Sequence, residues 1–384
     1  MDMGKLNSYY FETGPIRPPS EAYSLLIRAT RNCPWNRCKF CHTYKGTKFQ
    51  LRSVEEIKSE IDTIKAIYDR VKEVAWTAGY GGNLRQAAVA ALRGSPDAAV
   101  RNVALWLYAG GENAFLQDAN TLIMRTKDLA EVVRHLKQTF PSIKRVTSYG
   151  RSDTASRKTL EELKELREAG LSRLHIGLET GYDPLLKYMD KGVTAARHIE
   201  GGKKVVASGI SLCEYVILGL GGRKWWREHA SETARVLTEI DPDFIRVRTL
   251  AINDKMPLYE EVKNGNFLRS IDEEIVEEER LFIEHLGGHS NFVSDHITNL
   301  LPEIEGKLPE DKPRFLAIID RFLALPPEEK TNFKLGRRVG IYNELDDLKD
   351  AQRHEAVEQM FKRLSRDNHQ LSDETIFALM EEFI

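Results

Sequence analysis

The sequence has few cysteines, no long apolar run and almost no net charge. Only four of its 384 residues are cysteine, which argues against the disulfide framework of a secreted domain. No apolar stretch approaches the length of a membrane-spanning helix, and the first residues lack the apolar core of a secretory signal. A net charge of -2 gives no overall field for a nucleic-acid partner. We therefore expect a cytoplasmic protein with no membrane partner, and bulk charge does not favour nucleic-acid binding.

Three of the four cysteines lie within nine residues, in the segment Cys33-Pro-Trp-Asn-Arg-Cys38-Lys-Phe-Cys41. Three thiolates on one short loop are suited to a metal ion or an iron–sulfur cluster. A structural zinc ion usually takes four protein ligands, and His42 is the one further candidate close in sequence. A cubane cluster held by three thiolates keeps one iron open for a substrate or cofactor. The loop is therefore a candidate reaction centre, with structural zinc as the alternative.

Apolar strands and helices alternate from residue 23 to about residue 256. The six predicted strands are 23–29, 103–108, 145–149, 173–178, 213–218 and 244–248. Their spacing of about thirty residues or more is that of βαβ units, which predicts an α/β fold with a parallel sheet and right-handed crossovers. We expect a partial (β/α)6 barrel, whose strands send their following loops to one face. Residues 1–22 are expected to form an amino-terminal extension and residues 257–384 a helical carboxy-terminal region.

Capping sequences mark where two of the helices begin. Ser53 with Glu56, and Thr159 with Glu162, have the spacing of a capping box. Gly170 is placed to end the second of these helices. These signals predict one helix from residue 53 to about residue 74 and another between residues 159 and 170.

The sequence resembles the radical SAM superfamily over about residues 23–255. The resemblance rests on the three-cysteine loop, on Phe40 before its last cysteine, and on Gly110-Gly111-Glu112 after the second predicted strand. Gly177-Leu-Glu179-Thr-Gly and Val216-Ile-Leu-Gly-Leu-Gly-Gly222 extend it. The pattern is most similar to Elp3-type, methylthiotransferase-type and oxygen-independent coproporphyrinogen oxidase-type cores. One departure is the CX4CX2C loop, because the usual loop has three residues between its first two cysteines.

The resemblance implies a [4Fe-4S] cluster held by Cys33, Cys38 and Cys41, with S-adenosylmethionine at the open iron. It also implies reductive cleavage of S-adenosylmethionine to a 5′-deoxyadenosyl radical, which abstracts hydrogen from a substrate that we expect to be a small molecule. A flavodoxin or ferredoxin is the expected electron donor. The implied contacts to S-adenosylmethionine are Phe40 and Gly219 near the adenine, Gly110 and Gly111 where the backbone approaches, Glu112 at the amino group, Glu179 at the ribose or methionyl part, and Lys191 or Arg151 at the carboxylate.

Several of these residues also have ordinary structural explanations. Glycines commonly end strands, so Gly110-Gly111-Glu112 is informative only through its place after a strand. Glu179 and Lys191 have the alternative of a surface carboxylate and a helix-end cation. Cys213 has the pattern of a core residue. Asp295 and His296 are neighbours whose side chains would point apart on a helix, which argues against a paired site.

Two other functions stay open at this point. One is a radical SAM-like binding or trafficking protein, such as a haem carrier. The other is an RNA-modifying radical SAM enzyme, for which Lys45, Lys48 and Arg52 beside the cysteine loop would form a local basic patch. The sequence does not determine the substrate, the fate of S-adenosylmethionine or the oligomeric state.

Overall fold

The computed structural model describes residues 9–364 and 373–381. The outer parts of the expected amino-terminal extension and carboxy-terminal region, residues 1–8, 365–372 and 382–384, lie outside the described residues. The chain divides into two compact units that alternate along the sequence. The first unit is Met1–Asn36, Gly46–Ile176 and Lys204–Leu212, and the second is Arg37–Lys45, Gly177–Lys203 and Cys213–Ile384. The expected domain boundaries at residues 22 and 256 stay predictions.

The first unit is built on parallel strands whose order follows the chain. Strand β1 (Leu25–Arg28) pairs with β4 (Asn113–Gln117), β4 pairs with β5 (Arg145–Gly150), and β5 pairs with the beginning of β6 (Leu171–Glu179). Strands β2 (Thr30–Arg31) and β3 (Gln50–Leu51) form a separate antiparallel pair. The apolar side chains of the parallel strands are buried, among them Ile27, Phe115 and Val146, as expected for strands that helices cover.

The helices of the first unit begin largely where the capping sequences predict. They are α1 (Val54–Thr77), α2 (Leu84–Gly94), α3 (Ala98–Tyr108), α4 (Thr126–Thr139), α5 (Ser152–Arg157) and α6 (Leu160–Ala169). Ser53 Oγ accepts from the backbone N–H of Glu56 over 3.1 Å at the start of α1. The Glu56 carboxylate pairs with Arg31 and Arg52. The box of Thr159 with Glu162 is complete, and Gly170 ends α6.

The predicted strand at residues 103–108 is wrong, because these residues form the second half of α3. Asp97 caps this helix, since its carboxylate accepts from the backbone N–H of Ala99 over 2.8 Å. A short buried apolar run suits a helix and a strand equally well, which explains the error. Gly110 and Gly111 have left-handed φ values of 106° and 68°, which end the helix. The strand itself, β4, comes afterwards.

The second unit continues the alternation. Residues 213–218 of strand β7 (Ser211–Leu218) pair in parallel with β8 (Phe244–Thr249), β8 pairs in parallel with β9 (Asn291–Val293), and the short β10 (Gly306–Lys307) is antiparallel to β9. The remaining helices are α7 (Asp183–Tyr188), α8 (Ala195–Ala207), α9 (Gly222–Ile240), α10 (Pro257–Lys263), α11 (Asp272–His285), α12 (Lys312–Leu323), α13 (Pro327–Arg338), α14 (Ala351–Leu364) and α15 (Asp373–Glu381). The region after residue 257 is mainly helical, as expected, with β9 and β10 in addition.

The alternation of strands and helices confirms the expected α/β class. Within the residues that the structure describes, the strand pairings inside each unit are parallel, apart from those of β10 with β9 and of β2 with β3. Within the part of the chain that the structure describes, no helix is both long and apolar enough to cross a membrane.

Candidate active site

The three clustered cysteines lie on the loop between β2 and β3. Asn32 and Asn36 have left-handed φ values of 66° and 49°, so the chain turns sharply on both sides of Cys33. The backbone N–H of Asn36 donates to Cys33 Sγ over 3.4 Å. Hydrogen bonds to sulfur favour the thiolate and tune a bound cluster. The surroundings of Cys33 therefore fit an iron ligand.

None of the four cysteines forms a disulfide bond within the described chain. Within residues 9–364 and 373–381, no three histidine, cysteine or acidic side chains converge on a position for a single metal ion. A cubane cluster has a different requirement, because each of its thiolate ligands binds a different iron atom. Three cysteines on one short loop supply the donor set that such a cluster takes.

Lys191, Glu179 and Phe40 come together in the second unit. Lys191 Nζ lies 2.7 Å from Glu179 Oε1 and 5.7 Å from the centre of the Phe40 ring. The side chains of Lys191 and Glu179 are only 9% and 12% exposed. The backbone N–H of Lys39 also donates to the carbonyl oxygen of Met189 over 3.0 Å. This contact holds the end of the cysteine loop beside the segment that carries Lys191.

A second carboxyl group near this pair, that of Glu214 on β7, was missed in the sequence analysis. Its side chain is fully buried, and neither carboxyl oxygen has a hydrogen-bond partner among the described residues. Burial, and secondly the charge of Glu179, raises the pKa of Glu214 well above its ordinary value, while Lys191 acts in the opposite direction. The sequence does contain a signal for this residue, because a glutamate is unusual inside an apolar run such as residues 212–218.

Arg151 follows β5 directly and lies against the cysteine loop within the first unit. Its guanidinium carbon is 5.4 Å from the centre of the Trp35 ring, a distance suited to a cation–π contact. Its backbone N–H donates to Asn120 Oδ1 over 3.1 Å, and Asn120 Nδ2 donates to Thr154 Oγ1 over 2.8 Å. Trp35, Asn120, Arg151 and Thr154 line part of a polar cavity of about 510 Å³.

The predicted place of Gly110-Gly111-Glu112 is wrong, because the tripeptide precedes β4. Glu112 Oε1 is 2.6 Å from Lys144 Nζ, and the Glu112 carbonyl oxygen accepts from the backbone N–H groups of Lys144 and Arg145. These residues lie at the amino ends of β4 and β5. Ligand-binding loops of parallel α/β sheets follow the carboxyl ends of the strands. The tripeptide therefore has no place in the site described here.

The residues that do follow β4 are Asp118 and Asn120. Asp118 is fully buried, and its Oδ2 atom accepts from Arg28 Nε over 2.8 Å and from the backbone N–H of Asn32 over 3.2 Å. Because Asn32 precedes Cys33, this carboxylate fixes the start of the cysteine loop. The polar sequence directly after the apolar residues Phe115 and Leu116 was the signal for this strand end.

Gly219 follows β7, and its backbone N–H donates to Glu278 Oε1 over 2.7 Å. Glu278 lies on α11 and is fully buried. Burial is the main reason that the pKa of Glu278 is raised to about 8; the Gly219 N–H lowers it and Glu279 raises it further. The carboxyl group beneath this turn is therefore largely protonated at neutral pH.

Glu278→Gln is expected to reduce the loss of stability with rising pH. The unfolded chain releases the Glu278 proton near pH 4.5, whereas the folded chain releases it near pH 8. The folded state therefore loses stability as the pH rises from 4.5 to 8, and it loses little more above pH 8. Glutamine still accepts from Gly219. Between about pH 6 and pH 8 the fall in unfolding free energy should be smaller by about 2 kcal/mol in Glu278→Gln. Urea denaturation at both pH values measures it, with the exposed Glu277→Gln as control; identical slopes in both variants would contradict it.

The model of the radical SAM superfamily matches residues 27–234, more than half of the chain. The matched residues include the three clustered cysteines, Glu179, Lys191 and Gly219. No curated protein matches the chain.

Solved structures are similar at low sequence identity. Elp3 of Methanocaldococcus infernus is 14% identical, with a TM-score of 0.39, and the match covers 49% of each chain. Coproporphyrinogen III oxidase (HemN) of Escherichia coli is 14% identical, with a TM-score of 0.43, and the match covers 68% of this chain and 52% of that one. The methyltransferase TsrM of Kitasatospora setae is 13% identical, with a TM-score of 0.45, and 92% of this chain and 65% of that one are covered. The match thus spans about half the length of the Elp3 and HemN structures.

The family match confirms the expected fold class, a partial barrel with a parallel sheet. It also establishes that the protein is an enzyme. This chain belongs to the radical SAM superfamily, whose members bind a [4Fe-4S] cluster and S-adenosylmethionine.

Proposed function

We propose that this enzyme cleaves S-adenosylmethionine reductively and uses the resulting radical to take hydrogen from a small-molecule substrate. Cys33, Cys38 and Cys41 would hold the cluster. When bound, the cluster and S-adenosylmethionine supply an electron and a 5′-deoxyadenosyl group for hydrogen abstraction. The observation that carries this proposal is the set of three cysteines on one loop inside the matched region.

The second unit provides the side chains for S-adenosylmethionine. Phe40 offers an apolar ring beside the loop. Lys191 donates to Glu179, and its ammonium group carries the positive charge that would pair with the methionyl carboxylate. Glu179 keeps a second carboxylate oxygen for the ribose or the amino group. Burial, and secondly the charge of Glu179, raises the pKa of Glu214, so this carboxyl group competes less for Lys191 than an ordinary carboxylate would.

Other groups position the loop and the cofactor rather than reacting. Asp118 fixes Asn32 before Cys33, and Arg151 covers Trp35 within the loop. Gly219 provides a turn without a side chain beneath the adenine. A small electron-transfer protein, a flavodoxin or ferredoxin, would reduce the cluster.

The test is the formation of 5′-deoxyadenosine by anaerobically reconstituted protein supplied with dithionite and S-adenosylmethionine. We expect product from the wild type and none above background from Cys38→Ala. Reactions without dithionite serve as a second control. A wild-type protein that carries a full cluster, binds S-adenosylmethionine and still gives no 5′-deoxyadenosine with either dithionite or reduced flavodoxin would overturn the proposal in favour of a binding function.

A further inference from the structure

Two arginines on β8 have buried nitrogen atoms that form no hydrogen bond. Arg246 is only 8% exposed, and its Nε and Nη1 atoms have no hydrogen-bond partner within the described chain; the same holds for Nε of Arg248. Residues two apart on a strand project from the same face and are about 7 Å apart. The second unit therefore presents two guanidinium groups side by side on one face of β8.

Neighbouring groups neutralise these arginines only in part. Asp295 Oδ2 lies 3.4 Å from Arg246 Nη1, but the Asp295 side chain is 32% exposed. Arg246 also lies 5.9 Å from the centre of the ring of Tyr215, its partner in the register of β7 and β8. The Tyr215 hydroxyl and the Asp295 carboxylate both act on Arg246, but Nε of Arg246 and Nε of Arg248 still have no acceptor among the described residues.

Arg248 lies near His42, which follows the last cysteine of the loop. Within the second unit, the charges of Lys255 and Arg248 act on His42, the residue after Cys41. Arg246 and Arg248 both act on His296, and burial together with these charges lowers the pKa of His296 to about 4. This imidazole is neutral at physiological pH, so it adds no positive charge. Lys255, Arg246 and Arg248 thus make the surroundings cationic, and Asp295 is in contact with Arg246.

We propose that Arg246 and Arg248 bind an anionic group of the substrate, a carboxylate or a phosphate. A buried donor without an acceptor is costly, and a planar guanidinium fork matches the paired oxygens of carboxylate and phosphate. A bound oxyanion would supply the acceptors that Nε of Arg246 and Nε of Arg248 lack. The inference rests on the proposed function, since it assigns the anion to the substrate of the radical reaction and not to S-adenosylmethionine, whose carboxylate is assigned to Lys191.

The experiment uses reconstituted holoenzyme saturated with S-adenosylmethionine, so that the open iron is already occupied. Inorganic phosphate and succinate are the probes, titrated by anaerobic calorimetry at constant ionic strength. We expect the wild type to bind one of them. Arg246→Gln and Arg248→Gln should each weaken that binding about tenfold to a hundredfold, the range for a hydrogen bond to a charged group.

Arg235→Gln is the matched control, because Arg235 is an exposed arginine on α9 that pairs with Glu232 and Glu239. Its probe affinity should equal that of the wild type. Arg246→Lys keeps the charge but loses the fork, so it should lie between wild type and Arg246→Gln. Arg248 is less buried, so Arg248→Gln keeps the test valid if Arg246→Gln fails to fold.

Three results would overturn the inference. They are absence of binding of both probes to the wild type, equal binding by wild type and by Arg248→Gln, and a loss of S-adenosylmethionine affinity that matches the loss of probe affinity. The last result would assign the anion to S-adenosylmethionine. Formation of 5′-deoxyadenosine is measured in parallel. If the wild type cleaves S-adenosylmethionine but its anion binding does not depend on the arginines, only this inference is refuted. If the wild type binds the anion but does not cleave S-adenosylmethionine, the proposed function is refuted.

Discussion

Cys38→Ala is expected to abolish binding of the iron–sulfur cluster. Cys38 is one of three thiols on the loop, and a cubane with two protein ligands has two irons without thiolate ligands. Loss of a group that only supports a metal ligand typically lowers metal affinity about 10–100-fold, so loss of a ligand should exceed about a hundredfold. Iron and sulfide analysis after anaerobic reconstitution, with the visible charge-transfer absorbance, measures this loss.

The matched control is Cys213→Ala. Cys213 is a buried cysteine on β7 that forms no disulfide bond, and it lies outside the loop, so its removal should leave the iron content unchanged. Circular dichroism would show that both variants are folded. Full iron and sulfide content in folded Cys38→Ala would contradict the assignment of Cys38 as a ligand, and zinc in the wild type in place of iron would contradict the cluster itself.

Lys191→Met is expected to have the largest effect on stability among the site variants. The substitution removes the cation from an ion pair whose two side chains are 9% and 12% exposed. Glu179 would then keep a nearly buried charge next to the buried carboxyl group of Glu214. Breaking a buried pair from one side costs about 3–5 kcal/mol. Denaturant unfolding of the protein measures this change, and calorimetry should show weaker binding of S-adenosylmethionine in the same variant.

Two further variants isolate the cause. In Glu179→Gln/Lys191→Met the remaining charge is gone, so most of the lost stability should return while S-adenosylmethionine binding stays weak. Lys187→Met removes an exposed lysine from α7 and should change stability by less than about 0.5 kcal/mol. If Lys191→Met also costs less than about 1 kcal/mol, the pair behaves as a solvated surface pair and the assigned burial is wrong.

Local sequence signals predicted much of the fold. The oxygen acceptor of Ser53 and the box of Thr159 with Glu162 act within a single turn of helix, so their effect depends little on the rest of the chain. Most strands were also predicted, because β-branched and apolar runs bounded by turns are a local property. The three cysteines were found for the same reason, since their spacing is visible in nine residues.

The main error came from an apolar run whose local pattern fits a buried strand and a buried helix equally well. Residues 103–108 suit a buried strand, but they continue the helix that Asp97 caps. The prediction therefore placed the second strand one element too early and gave Gly110-Gly111-Glu112 the position that Asp118 and Asn120 occupy after β4. The order of helices and strands decides whether a residue precedes or follows a strand. Because one helix was assigned as a strand, residues that precede β4 were predicted to follow a strand and to belong to the site.

By itself, the sequence determined the α/β class, most of the element boundaries and the thiol-rich loop that marks the superfamily. Tertiary structure alone decided that Glu214 lies near Lys191 and Glu179, that Asp118 holds the start of the loop, and that Arg246 and Arg248 keep buried donors without acceptors. The physical reason is that helices and strands follow from interactions between near neighbours in sequence. Burial and the pairing of charges depend instead on which distant segments meet when the chain folds.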